Sequence, residues 1–331
     1  MDYYKQVLFN NPWRDDDLPS LVYRTSDGSV SGFLGVIPRL MYHRERRIRV
    51  AVAHRLMVAS GSQASYVAAS LVRRFLSGRQ DLSISDGAND AGKRIFEAAG
   101  AVTSLLYSLN WIRPLRFCRY GMHLLAKKWR PALIAAAVAP ACGPLDWALS
   151  RFLNGSFMQK DPQGIVSLID DDSLLDCIDR FSKRRSLRPL YDCTTLRWML
   201  NKLRANRERG DLRGFVIKSQ DGTPMGSCLY YVRPDRSAEV LQLAAAGTST
   251  IDIFGHLLRQ AFNDGCVCLF GRLQPELAEY LWRHNCILKR GSWALVHAAD
   301  REIINSIMCG DAFLSGLEAE LWLDSPMNSL W

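Results

Sequence analysis

The residues best suited to chemistry lie between His54 and Phe96. The stretch VASGSQASYVAASLVRRFLSG, residues 58–78, joins a strand-like run to a helix-like run through small polar residues. Ser60, Ser62 and Ser65 offer hydroxyl donors there. The first N–H groups of a helix lack partners within it and carry partial positive charge. Together these groups could hold a pyrophosphate without any side-chain cation. A capped turn is the other reading of the same residues. His54 stands on the strand-like run before the loop, and an imidazole titrates where a base is needed near neutral pH. A His packed at a core edge fits as well. Asn89 could bond a ligand or cap a helix, since Asn is favoured at that position. Asp86 fits a general base or a turn-forming side chain.

The nine cysteines, at 118, 142, 177, 193, 228, 266, 268, 286 and 309, form no CxxC pair. Scattered free thiols in a reducing compartment are expected, hence a cytoplasmic protein. Cys266 and Cys268 would share one face of a strand, and no His or Cys pair at ligand spacing joins them, so no metal is expected.

These residues must be positioned by a larger pattern, and the pattern occurs twice. DGSVSGFLGVIPRL (residues 27–40) and DGTPMGSCLYYVRP (residues 221–234) both read as hairpins. Asp-Gly supplies each turn, and a second Gly follows at Gly32 and Gly226. RIRVAVAHRLMVA (47–59) and SAEVLQLAAAG (237–247) read as strands that lead to small polar loops. Helices follow, with Val67, Leu71 and Phe75 on one face of the first, and Ile251, Phe254, Leu258 and Phe262 on the second. Short strands DLSISD and CVCLFGRL, helices NDAGKRIFEAAG and PELAEYLWRHN, and closing strands VTSLLYSLNWI and SWALVHAA complete the two halves. The fold class expected is α/β, a mixed sheet with helices against it in each half.

Between the halves, residues 113–165 read as an amphipathic helical connector broken at Pro131, Pro140 and Pro144. Its run 131–149 contains Asp146 and is too interrupted to span a membrane, though it could touch a membrane surface or line an acyl groove. Residues 170–212 read as the helical entry to the second half, with Asp172 or Ser173 as N-cap. The start shows no signal peptide. Length, 331 residues, suggests about two domains. Residues 1–156 carry 21 Lys and Arg against 11 Asp and Glu, while residues 157–331 carry 21 against 22. A basic first half suits an anionic partner, such as a nucleotide-bearing cofactor or an acidic carrier protein. No nucleic-acid signature accompanies the densest cluster, HRERRIRV (43–50), which reads as a solvated hairpin edge whose arginines block pairing.

The order of elements and their residues resemble the GNAT superfamily of acyl-CoA N-acyltransferases, twice in tandem. The resemblance implies domains at 1–112 (donor binding) and 166–331 (acceptor side), joined by the connector 113–165. The family's pyrophosphate loop has the pattern R/Q-x-x-G-x-G/A; here QASYVA places Gln63 and Ala68 at its ends and Tyr66 where Gly is usual. The donor loop so implied comprises Val58, Ser60, Ser62, Gln63, Ala64, Ser65, Tyr66, Val67 and Ala68. The family's Asn, followed seven residues later by an aromatic, is matched by Asn89 and Phe96, and Gly100 matches the Gly that follows. Phe96 has no hydroxyl and cannot be the acid that Tyr often is in the family.

In the second half TSTIDIFGHLL keeps less of the loop pattern, and Tyr280 stands one position out of register for the acid. Glu239, on the strand that matches the His54 strand, joins His54 and Tyr280 as a candidate catalytic residue. The implied function is N-acyl transfer from acyl-CoA, or an acyl carrier protein, to an amine of a small molecule or peptide by direct attack on the thioester. Two alternatives stand beside it: transfer of a long acyl chain to a peptide or natural-product amine, and a non-catalytic GNAT-like binding protein.

Overall fold

The computed structural model describes residues 4–129, 146, 162–245, 249–284 and 286–323. Two mixed sheets are built in the same order. In the first, β1 (Leu21–Arg24), β2 (Val30–His43) and β3 (Arg46–Val58) run antiparallel. The helix α1 (Ala64–Leu76) then carries the chain to β4 (Leu82–Ala88), parallel to β3. In the second, β7 (Ile165–Leu168), β9 (Asp211–Lys218), β10 (Pro224–Val232) and β11 (Ser237–Ala245) are antiparallel in that order. The helix α6 (Ser249–Asn263) leads to β12 (Cys268–Arg272), parallel to β11. A parallel neighbour needs a crossover, and each helix supplies it.

The repeated glycines fill the same two roles in each half. Gly28 and Gly222 take φ of 83° and 84° in the two hairpin turns, a conformation open to Gly. Gly32 lies where α1 crosses its sheet: an added Cβ would meet Val67 and Leu71 at 2.6 and 2.9 Å. Gly226 meets Ile253 of α6 in the same way.

The closing strands do not behave as expected. The first half's last strand, β6 (Leu109–Pro114), leaves its own sheet and pairs with β12 and with β13 (Ile287–Arg290). The second half's last strand, β14 (Trp293–His297), crosses back between β4 and β5 (Val102–Ser104). Each half therefore completes the other's sheet, and a boundary at residue 112 falls inside β6. Pattern alone could not say which sheet a strand joins, because alternation is the same in either.

The entry to the second half is also two helices rather than one. Asp170 caps α4 (Asp171–Ser182) by accepting from Ser173 N at 2.8 Å, two or three positions before the expected cap. The short β8 (Leu187–Pro189) then pairs with the end of β2, and Asp192 opens α5 (Cys193–Ala205). Pairing by β8 means that the arginine-rich end of the β2–β3 hairpin is not a bare edge. Its charges are partnered: Arg44 with Glu302 at 2.9 Å, Arg49 with Asp15 at 2.7 Å.

The helices α1 and α2 (Asp90–Ala98) cover one face of the first sheet, through Val67, Leu71, Phe75 and Phe96. Leu257 and Phe254 of α6 do the same for the second. The inner faces share one core, where Ile37, Val50 and Ile84 meet Leu229, Tyr231 and Leu241 around α4 and α5. Of the expected connector, α3 (Phe117–Trp129) is helical; Pro131–Leu149, apart from Asp146, lies outside the described residues.

Candidate active site

The strands β3 and β4 stay paired only as far as Val52 and Ile84. Both continue, β3 to Val58 and β4 to Ala88, so they part into a V. A bulge helps to open it. The β2–β3 register slips between Phe33 and Gly35, and Arg55 takes φ of 58°. Gly35 makes this possible, since an added Cβ would lie 2.5 Å from the His54 carbonyl oxygen. The V holds a cleft of about 420 Å³. Its walls are Ala53, His54 and Leu56 of β3, Ser85 and Gly87 of β4, and the starts of α1 and α2. A second groove of about 280 Å³ lies between α1 and α2, shares Ser65, Ala91 and Ile95 with the cleft, and carries Arg73 and Arg94.

Of the residues expected to bind the donor, Val58, Ala64, Ser65 and Ala68 of the loop, with Asn89 and Phe96, line the cleft. Ser60, Ser62 and Gln63 are exposed at its rim. Gln63 is the N-cap of α1 but gives no side-chain cap, so the first turn is left without one. Val67 faces the core beneath α1. Tyr66 is 64% exposed and packs edge-on against Tyr23 with centroids 6.3 Å apart. Its side chain does not line the cleft, so the space a Gly would leave stays open. Asn89 caps α2, accepting from Gly92 N at 2.8 Å. Phe96 is buried against Phe75.

His54 also lines the cleft and is fully buried. Its Nδ1 lies 3.3 Å from Oε2 of Glu320, a residue without a local sequence signal. Glu320 arrives on the segment 311–323, which threads between the sheets: Phe313 N donates to Leu187 O at 2.8 Å, and Gly316 N to Leu241 O at 2.7 Å. Its Oε1 accepts from Gly87 N at 2.9 Å and from Ser85 Oγ at 3.4 Å. Its own N–H donates to Asp86 Oδ1 at 2.9 Å. Asp86 is therefore neither a free base nor a turn residue. It is buried and ion-paired with Arg272 of β12 at 2.5 Å.

Glu239 and Tyr280 are not brought to this cleft. Glu239 pairs with Arg209 at 2.6 Å and Arg233 at 3.6 Å. Burial pushes its carboxyl up, but the two guanidinium groups outweigh burial and hold it below the usual range. Tyr280 sits in the second core, edge-on to Phe254 and stacked on His284. Burial, foremost, pushes its phenol up to about 12, which makes it a poor acid at neutral pH.

No protein-family model matches the chain, and no curated protein matches it. Its fold recurs among solved structures. A GCN5-related N-acetyltransferase from Anabaena variabilis aligns with a TM-score of 0.57 at 12% identity, over 91% of this chain and 66% of its own. A probable N-acyltransferase from Enterococcus faecalis aligns at 0.54 and 8% identity, over 85% of this chain and 62% of its own. The N-myristoyltransferase of Saccharomyces cerevisiae, solved with bound myristoyl-CoA, aligns at 0.51 and 9% identity, over 90% and 70%. The chain spans about two thirds of the length of the first two. At these identities the likeness is one of fold, and the chain has the two-sheet fold of GNAT-type N-acyltransferases.

Proposed function

We propose that this protein is an N-acyltransferase that moves an acyl group from a thioester donor, acyl-CoA or an acylated carrier, to an amine of a small molecule or peptide. The observation that carries this reading is the V between β3 and β4, open as a cleft of about 420 Å³. Parted strand edges offer unpaired backbone N–H and C=O groups, and an extended amide chain such as pantetheine satisfies them as a further strand would. At the mouth, the uncapped first turn of α1 offers N–H groups to a pyrophosphate. Arg73 and Arg94 in the adjoining groove suit further phosphate.

The chemistry follows from the residues at the deep end. An amine attacks only as the free base, so a proton must leave it. The buried His54 is the candidate to receive it. Attack on the thioester carbonyl forms the N–C bond, the C–S bond breaks, and the thiolate leaves to be protonated. Backbone N–H groups of β3 beside the bulge are the candidate donors to the developing oxyanion. Burial pushes the thiols of Cys177, Cys228, Cys266 and Cys286 up, away from the thiolate that a nucleophile needs, which favours direct transfer.

Thermal unfolding with added CoA tests the donor site. A ligand at a hundred times its dissociation constant adds about 2.7 kcal/mol, so the melting temperature should climb with CoA concentration. No shift with CoA or acyl-CoAs would sink the CoA-donor reading. Thiol release with a panel of amines then separates an enzyme from a binding protein.

A further inference from the structure

The deep wall of the cleft holds a carboxylate whose orientation is fixed from both ends. The backbone of Glu320 is tied to Asp86, and through Asp86 to Arg272 of the other sheet. Its Oε1 is taken by two donors, Gly87 N–H and the Ser85 hydroxyl. Gly87 leaves no slack, since an added Cβ would lie 2.8 Å from that oxygen. Only Oε2 remains for His54 Nδ1, at 3.3 Å. The Nε2 of the same ring is buried with no hydrogen-bond partner among the described residues. A neutral imidazole has one N–H and one lone pair. A carboxylate can only accept, so the proton belongs on Nδ1 and the lone pair on Nε2.

We propose that Glu320 is the positioning residue that makes His54 the base of acyl transfer, a role that rests on the acyl-transfer reading of the cleft. Glu320 fixes the tautomer and ring orientation. As the amine nitrogen bonds to the thioester carbon, its proton passes to Nε2, and the C–S electrons leave on sulfur. The imidazolium so formed is paired with the Glu320 carboxylate. It returns its proton to the thiolate or to water, and the ring is ready again. The C-terminal segment thereby supplies a group on which the first half's cleft depends.

The conservative variant Glu320→Gln separates this role from packing. Gly87 N–H and Ser85 O–H still require an oxygen, so the amide NH₂ is left facing His54 Nδ1. The ring must then accept at Nδ1 and carry its proton on Nε2, where it can no longer take one. Nitrogen-15 spectra of the full chain labelled at histidine, with His54→Asn to assign the signals, read the tautomer directly. The wild-type protein should show His54 protonated at Nδ1, and Glu320→Gln should show it protonated at Nε2. In the same variant kcat should fall about 10²- to 10⁴-fold with the Kd for CoA unchanged. The double variant Glu320→Gln/His54→Asn should be no slower than His54→Asn alone, as for residues acting as a unit.

An Nε2-protonated His54 in the wild type, or a Glu320→Gln enzyme with full kcat, overturns the proposal even where CoA binds. Failure to release thiol from either acyl-CoA or an acylated carrier protein with any amine would instead remove the acyl-transfer reading and this role with it. Should the variant not fold, the wild-type spectrum alone still decides the tautomer.

Discussion

At the scale of single residues, Tyr66 shows how a departure from a motif can leave a cleft open. A side chain in the first turn of a helix can point away from the end of that helix, and Tyr66 does, lying against Tyr23 with most of its surface in solvent. What the proposed donor loop would ask of this position is a backbone N–H, which any residue but Pro provides. Tyr66→Ala should therefore leave the Kd for CoA within about twofold, well inside the 1.4 kcal/mol that a tenfold change represents. Ser65 is the contrasting neighbour, because it lines both the cleft and the groove with Arg73 and Arg94. Ser65→Glu would place a carboxylate at a helix N-terminus, which the helix tolerates, yet against an anionic donor. Its Kd should rise at least about tenfold, about 1.4 kcal/mol, at unchanged melting temperature. Calorimetric titration of CoA into both variants checks the pair; equal losses would mean that the donor does not pass between α1 and α2.

Elements were legible in the sequence where a local rule sets them. Asp27-Gly28 and Asp221-Gly222 mark two hairpins, and the structure gives both turns the same bonds. Asp27 accepts from Ser29 N at 3.1 Å and Asp221 from Thr223 N at 3.0 Å, and each also accepts from a hydroxyl two residues before it, on Thr25 and Ser219. Those hydroxyl bonds, foremost, hold both carboxyls down to about 2 from an ordinary 3.8. A depressed folded pKa means that the turn gains from the carboxylate above pH about 4 and loses that gain as pH falls through about 2. The amide resonances of Ser29 and Thr223 should thus titrate together with a midpoint near 2; midpoints near 3.8 would mean that the turns are not held this way. Other elements lacked a local rule. The strands β6 and β14 alternate as any strand does, so nothing nearby told them to trade sheets. Glu320 lies in a stretch, GLEAELW, that holds no motif, and 233 residues separate it from Gly87, whose N–H it binds. The walls of the cleft made of loop and helix start were therefore readable, and the wall made by long-range threading was not.

The whole molecule is joined more tightly than two halves side by side. Each sheet contains a strand from the other half, and the segment 311–323 runs between them. Beneath that segment the buried Arg39 stacks on Trp13 at 3.7 Å and donates to Leu317 O at 3.2 Å. At the cleft, Arg272 from the second sheet neutralises Asp86 in the first, with side chains 5% and 1% exposed. Neither sheet is complete alone, so the chain should unfold in one transition, with circular dichroism and tryptophan fluorescence giving the same curve. Arg272→Met sharpens this test. It strands a buried carboxylate, which costs about 3–5 kcal/mol, whereas replacing both partners with apolar residues often costs little. Arg272→Met should then lower stability by that amount with both probes still coincident, and Asp86→Leu/Arg272→Met should recover most of the loss. If the variant instead split the curve in two, with only one probe moving, the exchanged strands would not couple the halves. The cleft would then depend on its own sheet alone, and the fixed position of Glu320 would need another cause.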